Sequence, residues 1–192
     1  MTKLFIRENF KQGLIGVGRN NRSIKGWLIR MLGCWGNHTM MTAYGANGEE
    51  GFNEQMPPES QHTTYFEYER LMNEEGYEVK IYEIVDVSDK EAEAMAHWYT
   101  ANYLGEEYPE TKNMLLLFSR LVNILADHGI MPPMRLTWCT QRVIDSVRAI
   151  KHQCLRAKYR KLLKRLWTPK TIEKRIEEGL LRDVTDKHIR EV

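Results

Sequence analysis

The sequence is poor in the residues that staple a chain or anchor it in a bilayer. It has three cysteines among 192 residues. An odd number without regular spacing excludes a disulfide framework and fits a reducing compartment. No uninterrupted apolar run reaches membrane-spanning length, because "MLLLFSRLVNILA" is broken by Ser119, Arg120 and Asn123. The opening "MTKLFIRENFKQG" has no basic segment followed by an apolar stretch, so no secretory signal is expected. "GLIGVG" lacks the Lys-Ser/Thr ending of a phosphate loop and no strand–loop–helix dinucleotide unit follows it. Cys34 and His38 form one C-x3-H pair with no second pair at ligand spacing, so neither a metal nor a cofactor is expected. These absences predict a soluble, cytoplasmic product, and the compact build suits a bacterial or phage protein.

What is present points to a globular chain. Hydrophobic residues make up 42% of it, enough for a sizeable core. Charge is unevenly placed. Residues 148–192 carry 14 Lys and Arg against 6 Asp and Glu, a balance of +8, whereas residues 1–147 carry 14 against 20, a balance of −6. An acidic body with a basic tail expects an anionic partner for that tail, or the body itself.

The pattern runs strands first, then helices, which predicts an α+β fold. "LFIRENFKQGLIGVG" reads as one or two strands with Gly13, Gly16 and Gly18 marking turns, and "SIKGWLIRMLG" as a short helix capped by Ser23. "HTMMTAY" alternates as a strand, with His38, Met40, Thr42 and Tyr44 on one face and Thr39, Met41 and Ala43 on the other. "GANGEEGFNEQMPPES" has loop composition, and "TTYFEYE" and "YEVKIYEIVDV" read as two further strands. A helix is expected from the Ser88–Glu91 capping box to Gly105, another over "TKNMLLLFSRLVNILADHG", and a third from Cys139. Basic amphipathic helices follow, broken at Thr168–Pro169. The division expected is a domain over 1–152 and a basic helical extension over 153–192.

Chemistry, if present, centres on Cys139. A helix starting there would aim its first unpaired N–H groups at the sulfur and favour thiolate. The same position suits a small buried hydrophobe, since Val143, Ile144, Val147 and Ile150 continue an apolar stripe. A thiol nucleophile needs a base and a group to orient the base. His38, heading its strand, is the first choice of base over His62 in a loop, His97 and His128 on helices, and His152 and His188 in the basic region. For the orienting acid, Glu67 and Glu69 of "TTYFEYE" share one face, opposite Phe66 and Tyr68, and Glu83 is a poorer third candidate.

Four segments, in order, resemble one family. "RSIKGWLIRMLGCWGNHTMMTAYG" is similar to the helix–loop–His-strand of circularly permuted papain-like hydrolases, the YiiX-like amidases related to NlpC-type peptidases and lecithin retinol acyltransferase. "YFEYERLMNEEGYEVKIYEI" resembles their acid, spacer, glycine and strand; "AHWYTANYLGEEYPETKNMLLLFSRL" resembles their helix ending in Gly-x-x-Tyr before an apolar helix. "TWCTQRVIDSVRAI" resembles their late Cys-Ser-Glu helix start, with Thr140 and Gln141 in place of Ser and Glu. The resemblance implies a permuted papain-like (NlpC-type) fold, a small antiparallel sheet packed against helices. It also implies a Cys139 nucleophile, His38 base and Glu67 orienter, with Glu69 in reserve, acting on a peptide, acyl or other carbonyl substrate through an acyl-enzyme. The alternative expectation is an inactive module of the same fold that docks anionic partners through its basic C-terminal helices.

Overall fold

The computed structural model describes residues 1–20, 38–56, 59–107, 139–151 and 175–192. The fold is mixed α+β: a six-stranded antiparallel sheet and a two-stranded one, packed against helices. The strands are β1 Lys3–Phe5, β2 Ile15–Asn20, β3 His38–Tyr44, β4 Glu50–Gln55, β5 Ser60–Thr64, β6 Tyr77–Ile84, β7 Leu181–Asp183 and β8 Ile189–Glu191. The helices are α1 Tyr65–Glu74, α2 Asp89–Tyr103, α3 Cys139–Lys151 and the single turn α4 Thr185–His188. The larger sheet runs β5-β4-β3-β2-β6-β7, and β1 pairs with β8.

Both faces of the larger sheet are covered, which is why β3 buries successive residues from Thr39 to Ala43. On one face α1 packs Tyr65, Tyr68 and Met72 against Met40, Phe52, Val79 and Ile81. On the other, α2 and α3 pack Met95, Ala96, Tyr99, Val143, Ile144 and Val147 against Ile15, Val17, Met41 and Ala43. Burying each Val, Ile, Met or Phe among these stabilises the fold by about 1.5–3 kcal/mol. The alternation expected for "HTMMTAY" is therefore present, and α2 starts at the expected Ser88–Glu91 capping box. Among the described residues no helix is long and apolar enough to cross a membrane.

Four sequence expectations need correction. "TTYFEYE" is a strand only through Thr64, the end of β5: Thr64 and Glu67 form a reciprocal capping box, and α1 begins between them. Its buried residues fall at helical spacing, while Phe66 is 72% exposed. The segment "GANGEEGFNEQMPPES" is not all loop, since Glu50–Gln55 forms β4 with Phe52 buried in the core. His62 consequently sits on β5 and not in a loop. Gly16 and Gly18 are not turn residues but lie inside β2. A Cβ on Gly16 would stand 2.7 Å from Met40 Cγ, so glycine there makes room for the core on the α1 face.

The end of the chain is not helical throughout. Leu181–Asp183 adds the edge strand beside β6, and Ile189–Glu191 pairs with β1 at the start of the chain. Leu180, Leu181 and Val184 are buried, which holds this segment on the body. The helices expected over 23–33, 111–129 and 153–167, with the break at Pro169, lie outside the described residues.

Candidate functional site

His38 opens β3, and its neighbour across the sheet is set by a hairpin. Asn47-Gly48 turns the chain between β3 and β4, with Gly48 at φ +78° and its N–H donating to Gly45 O at 3.0 Å. The register that follows pairs Met40 with Glu54. His38 lies two residues before Met40, so it is on the same face as Glu54 and diagonal to it, within reach of a long side chain. His38 Nε2 and Glu54 Oε2 are 2.7 Å apart.

Glu54 is 1% exposed and three groups meet its carboxylate. Besides His38, the Tyr68 hydroxyl donates to Oε2 at 2.5 Å and the Thr63 hydroxyl donates to Oε1. Burial alone would push the Glu54 carboxyl up. The hydrogen bond and charge of His38, with the two hydroxyls, outweigh that and hold it below the ordinary value, so the carboxylate is ionised at neutral pH. Burial first, then the nearby Glu54 charge, pushes the Tyr68 hydroxyl well up, so Tyr68 stays protonated and acts as a donor. The Tyr77 hydroxyl reaches Tyr68 in turn, lying over Gly18, the cross-strand partner of His38. With Nε2 facing a carboxylate, Nε2 is the nitrogen that carries a proton.

The acids expected from sequence do other work. Glu67 Oε2 accepts from Thr64 N–H at 2.8 Å as half of the capping box. Glu69 accepts from Phe5 N–H at 2.8 Å and pairs with Arg7 at 3.0 Å, tying β1 to α1. Glu83 pairs with Lys11 at 2.8 Å. None of the three meets His38 in a hydrogen bond among the described residues. The carboxylate that does, Glu54, lies in a segment whose Gly, Asn, Pro and Ser content has the composition of a loop. The Asn47-Gly48 dipeptide after an alternating strand was the available signal.

Cys139 is the first residue of α3, as expected, and Val143, Ile144 and Val147 are buried below it. Its side chain lies outside the described residues, as do Cys34, His128 and His152. The first turn of α3 can still be placed. Arg142 stacks over the Tyr103 ring at 3.9 Å and pairs with Glu106 at 2.5 Å. Glu106 O accepts from Ser60 N–H at 2.8 Å, and Ser60 pairs with Gln55 at the end of β4. The Ser60 hydroxyl also donates to Glu54 O at 3.0 Å. The helix that begins at Cys139 thus starts at the end of the sheet where His38 and Glu54 sit. The pleat divides them by face: His38 and Glu54 look toward α1, and the body of α3 covers the opposite face.

The remaining described histidines are placed otherwise. His62 Nδ1 meets Asn53 Oδ1 at 2.9 Å, His97 pairs with Glu93 at 3.6 Å on the exposed side of α2, and His188 is buried on α4. Among the described residues no three His, Cys, Asp or Glu side chains converge as metal ligands. No protein-family model matches the chain, and no curated protein matches it significantly.

Proposed function

We propose that the chain is a thiol hydrolase of the permuted papain-like, NlpC-type kind, cleaving amide or peptide bonds through a Cys139 acyl-enzyme. The observation that carries this reading is the pairing of His38 with a buried, ionised Glu54, at the end of the sheet where α3 starts with Cys139. In this reading Glu54 takes the orienting role expected of Glu67. His38 takes the thiol proton, and the sulfur attacks the substrate carbonyl to give a tetrahedral oxyanion facing the N–H groups of the first turn of α3. Collapse breaks the C–N bond, and the amine leaves with the proton from His38. Water then attacks the thioester, again giving a proton to His38, and the thiol is restored as the acid departs. Esters and thioesters fit the same steps, and the chemistry belongs in a reducing compartment such as the cytoplasm.

The test is the alkylation rate of each cysteine by iodoacetamide across pH, read by mass spectrometry, in wild type and His38→Ala. Cys139 is expected to react far faster than Cys34 and Cys154 at neutral pH and to slow when His38 is removed. A Cys139 that is inert in the folded protein and indifferent to His38 sinks the reading.

A second reading is favoured by the pleat, which turns His38 toward α1 and away from the body of α3. On that reading the His38–Glu54 pair is a structural brace and the chain is an inactive module that docks anionic partners through residues 148–192. Phosphate-driven docking weakens steeply between low and moderate salt. Binding indifferent to salt removes this alternative.

A further inference from the structure

The Glu54 carboxylate has more donors than it needs merely to hold an imidazole. Two of them, Tyr68 and His38, share Oε2, while Thr63 takes Oε1. A carboxylate that spends its charge on two hydroxyls pulls less strongly on the imidazole N–H beside it. We propose that Tyr68 and Thr63 are positioning residues that act through Glu54 to hold down the proton affinity of His38. The carboxylate thereby orients the ring and holds its second proton less tightly than it would without the two hydroxyls.

The surroundings make this assignable to a few groups. Glu54 comes from β4, Thr63 from β5, Tyr68 from α1 and Tyr77 from β6, whose hydroxyl backs Tyr68. On the adjacent strand β2, Gly18 is the residue opposite His38. His62, also on β5, alternates to the other face with Asn53 and feels Glu54 only at a distance. The Tyr68 ring is held independently of its hydroxyl, edge-on to Phe52 at 4.9 Å and to Tyr77 at 5.6 Å. Tyr68→Phe therefore removes the donor and leaves the packing, and Thr63→Val does the same on the other oxygen.

The proposal deepens the hydrolase reading, in which a base that is neutral near pH 7 is what proton abstraction requires, yet its test needs no activity. The His38 ring resonance, assigned by its loss in His38→Ala, is followed by NMR across pH in the full chain. Tyr68→Phe is expected to raise the His38 titration midpoint by about half to one pH unit, Thr63→Val to raise it in the same direction, and Glu54→Gln to lower it. If Tyr68→Phe fails to fold, Thr63→Val decides. A midpoint that stays put or falls in the folded hydroxyl variants overturns the proposal. Cysteine alkylation separates the two questions: an inert Cys139 defeats the hydrolase reading while the shifted His38 midpoint still stands.

Discussion

The Tyr77 hydroxyl lies 2.1 Å from where a Cβ on Gly18 would be, so the absent side chain of one residue is the seat of the other. Two ring carbons of Tyr77 would stand 2.8 Å from the same Cβ. Gly18→Ala must therefore push the whole ring aside, not only its tip, and disturb the Tyr77–Tyr68–Glu54 chain. A cost of about 1–3 kcal/mol is expected, as for other overpacked cores. Removing the hydroxyl in a Gly18→Ala, Tyr77→Phe double variant should recover part of it, because the closest contact is then gone. Urea unfolding of the four proteins gives the coupling energy. A sum of independent effects would mean that Tyr77 does not occupy this space in solution.

Glu54 and Glu67 differ in what they hold, and substitution should separate them. Glu54→Gln places an amide N–H₂ against groups that already donate and removes the charge opposite His38. Breaking such a buried arrangement costs about 3–5 kcal/mol. Glu67→Gln keeps the capping box, since glutamine serves at that position, and should change stability little and Cys139 alkylation not at all. Chemical unfolding and cysteine labelling of both variants check the contrast. A Glu67→Gln protein with slowed Cys139 labelling would restore Glu67 as the orienter.

Glu67 looks suitable from sequence because the residues around it have strand composition. "TTYFEYE" is rich in β-branched and aromatic residues, and propensity reads that as a strand. The deciding feature was the two-residue chemistry of Thr64 and Glu67, which satisfies backbone donors at a helix start and overrides composition. The same kind of signal, Ser88 with Glu91, marks the start of α2. Glu54 was hidden for the converse reason. β4 buries Asn53, Glu54 and Gln55, polar residues that a hydrophobicity pattern assigns to solvent, and only the hairpin register shows that Glu54 meets His38. Helix α3 was legible because its stripe is regular and apolar. Pairing of β8 with β1 joins residues 188 positions apart, Lys3 with Glu191, and no local pattern carries that information.

His188 lies where the two ends of the chain meet. Its carbonyl accepts from Ile6 N–H at 2.8 Å, and its side chain lines a cavity of about 360 Å³ with Ile6, Lys11, Glu83 and Val184. Burial, with Lys11 and Lys187 nearby, depresses its proton affinity below the ordinary 6.5, against the opposing pull of Glu83. A histidine depressed in the folded state binds its proton more readily when unfolded, so it contributes stability that is lost as pH falls below 6.5. The pairing of β1 with β8 should then loosen on acidification before the larger sheet does. Hydrogen exchange at Thr2 and Ile6 between pH 7 and 5 is expected to accelerate relative to β3, after correction for intrinsic rates. His188→Asn, uncharged at both pH values, should flatten that dependence. Equal acceleration in both proteins would place the acid sensitivity elsewhere.

Gln55 closes β4 with its side chain 1% exposed, and neither Nε2 nor Oε1 finds a hydrogen-bond partner among the described residues. Its neighbours in sequence and across the sheet are satisfied. Glu54 is met by three donors, and the Ser60 hydroxyl donates to Glu54 O. An amide buried without partners loses its bonds to water and gains none in return, a penalty of about 1–3 kcal/mol. Methionine has a similar length and no such demand, and it adapts to an irregular site. Gln55→Met is therefore expected to stabilise the protein by about 1 kcal/mol or more, against the usual direction of core substitutions. Thermal and urea unfolding of the variant measure this directly. A loss of stability instead would mean that the amide is bonded in solution, through a bound water or a nearby segment of the chain, at the end of the sheet where His38 and the start of α3 also lie.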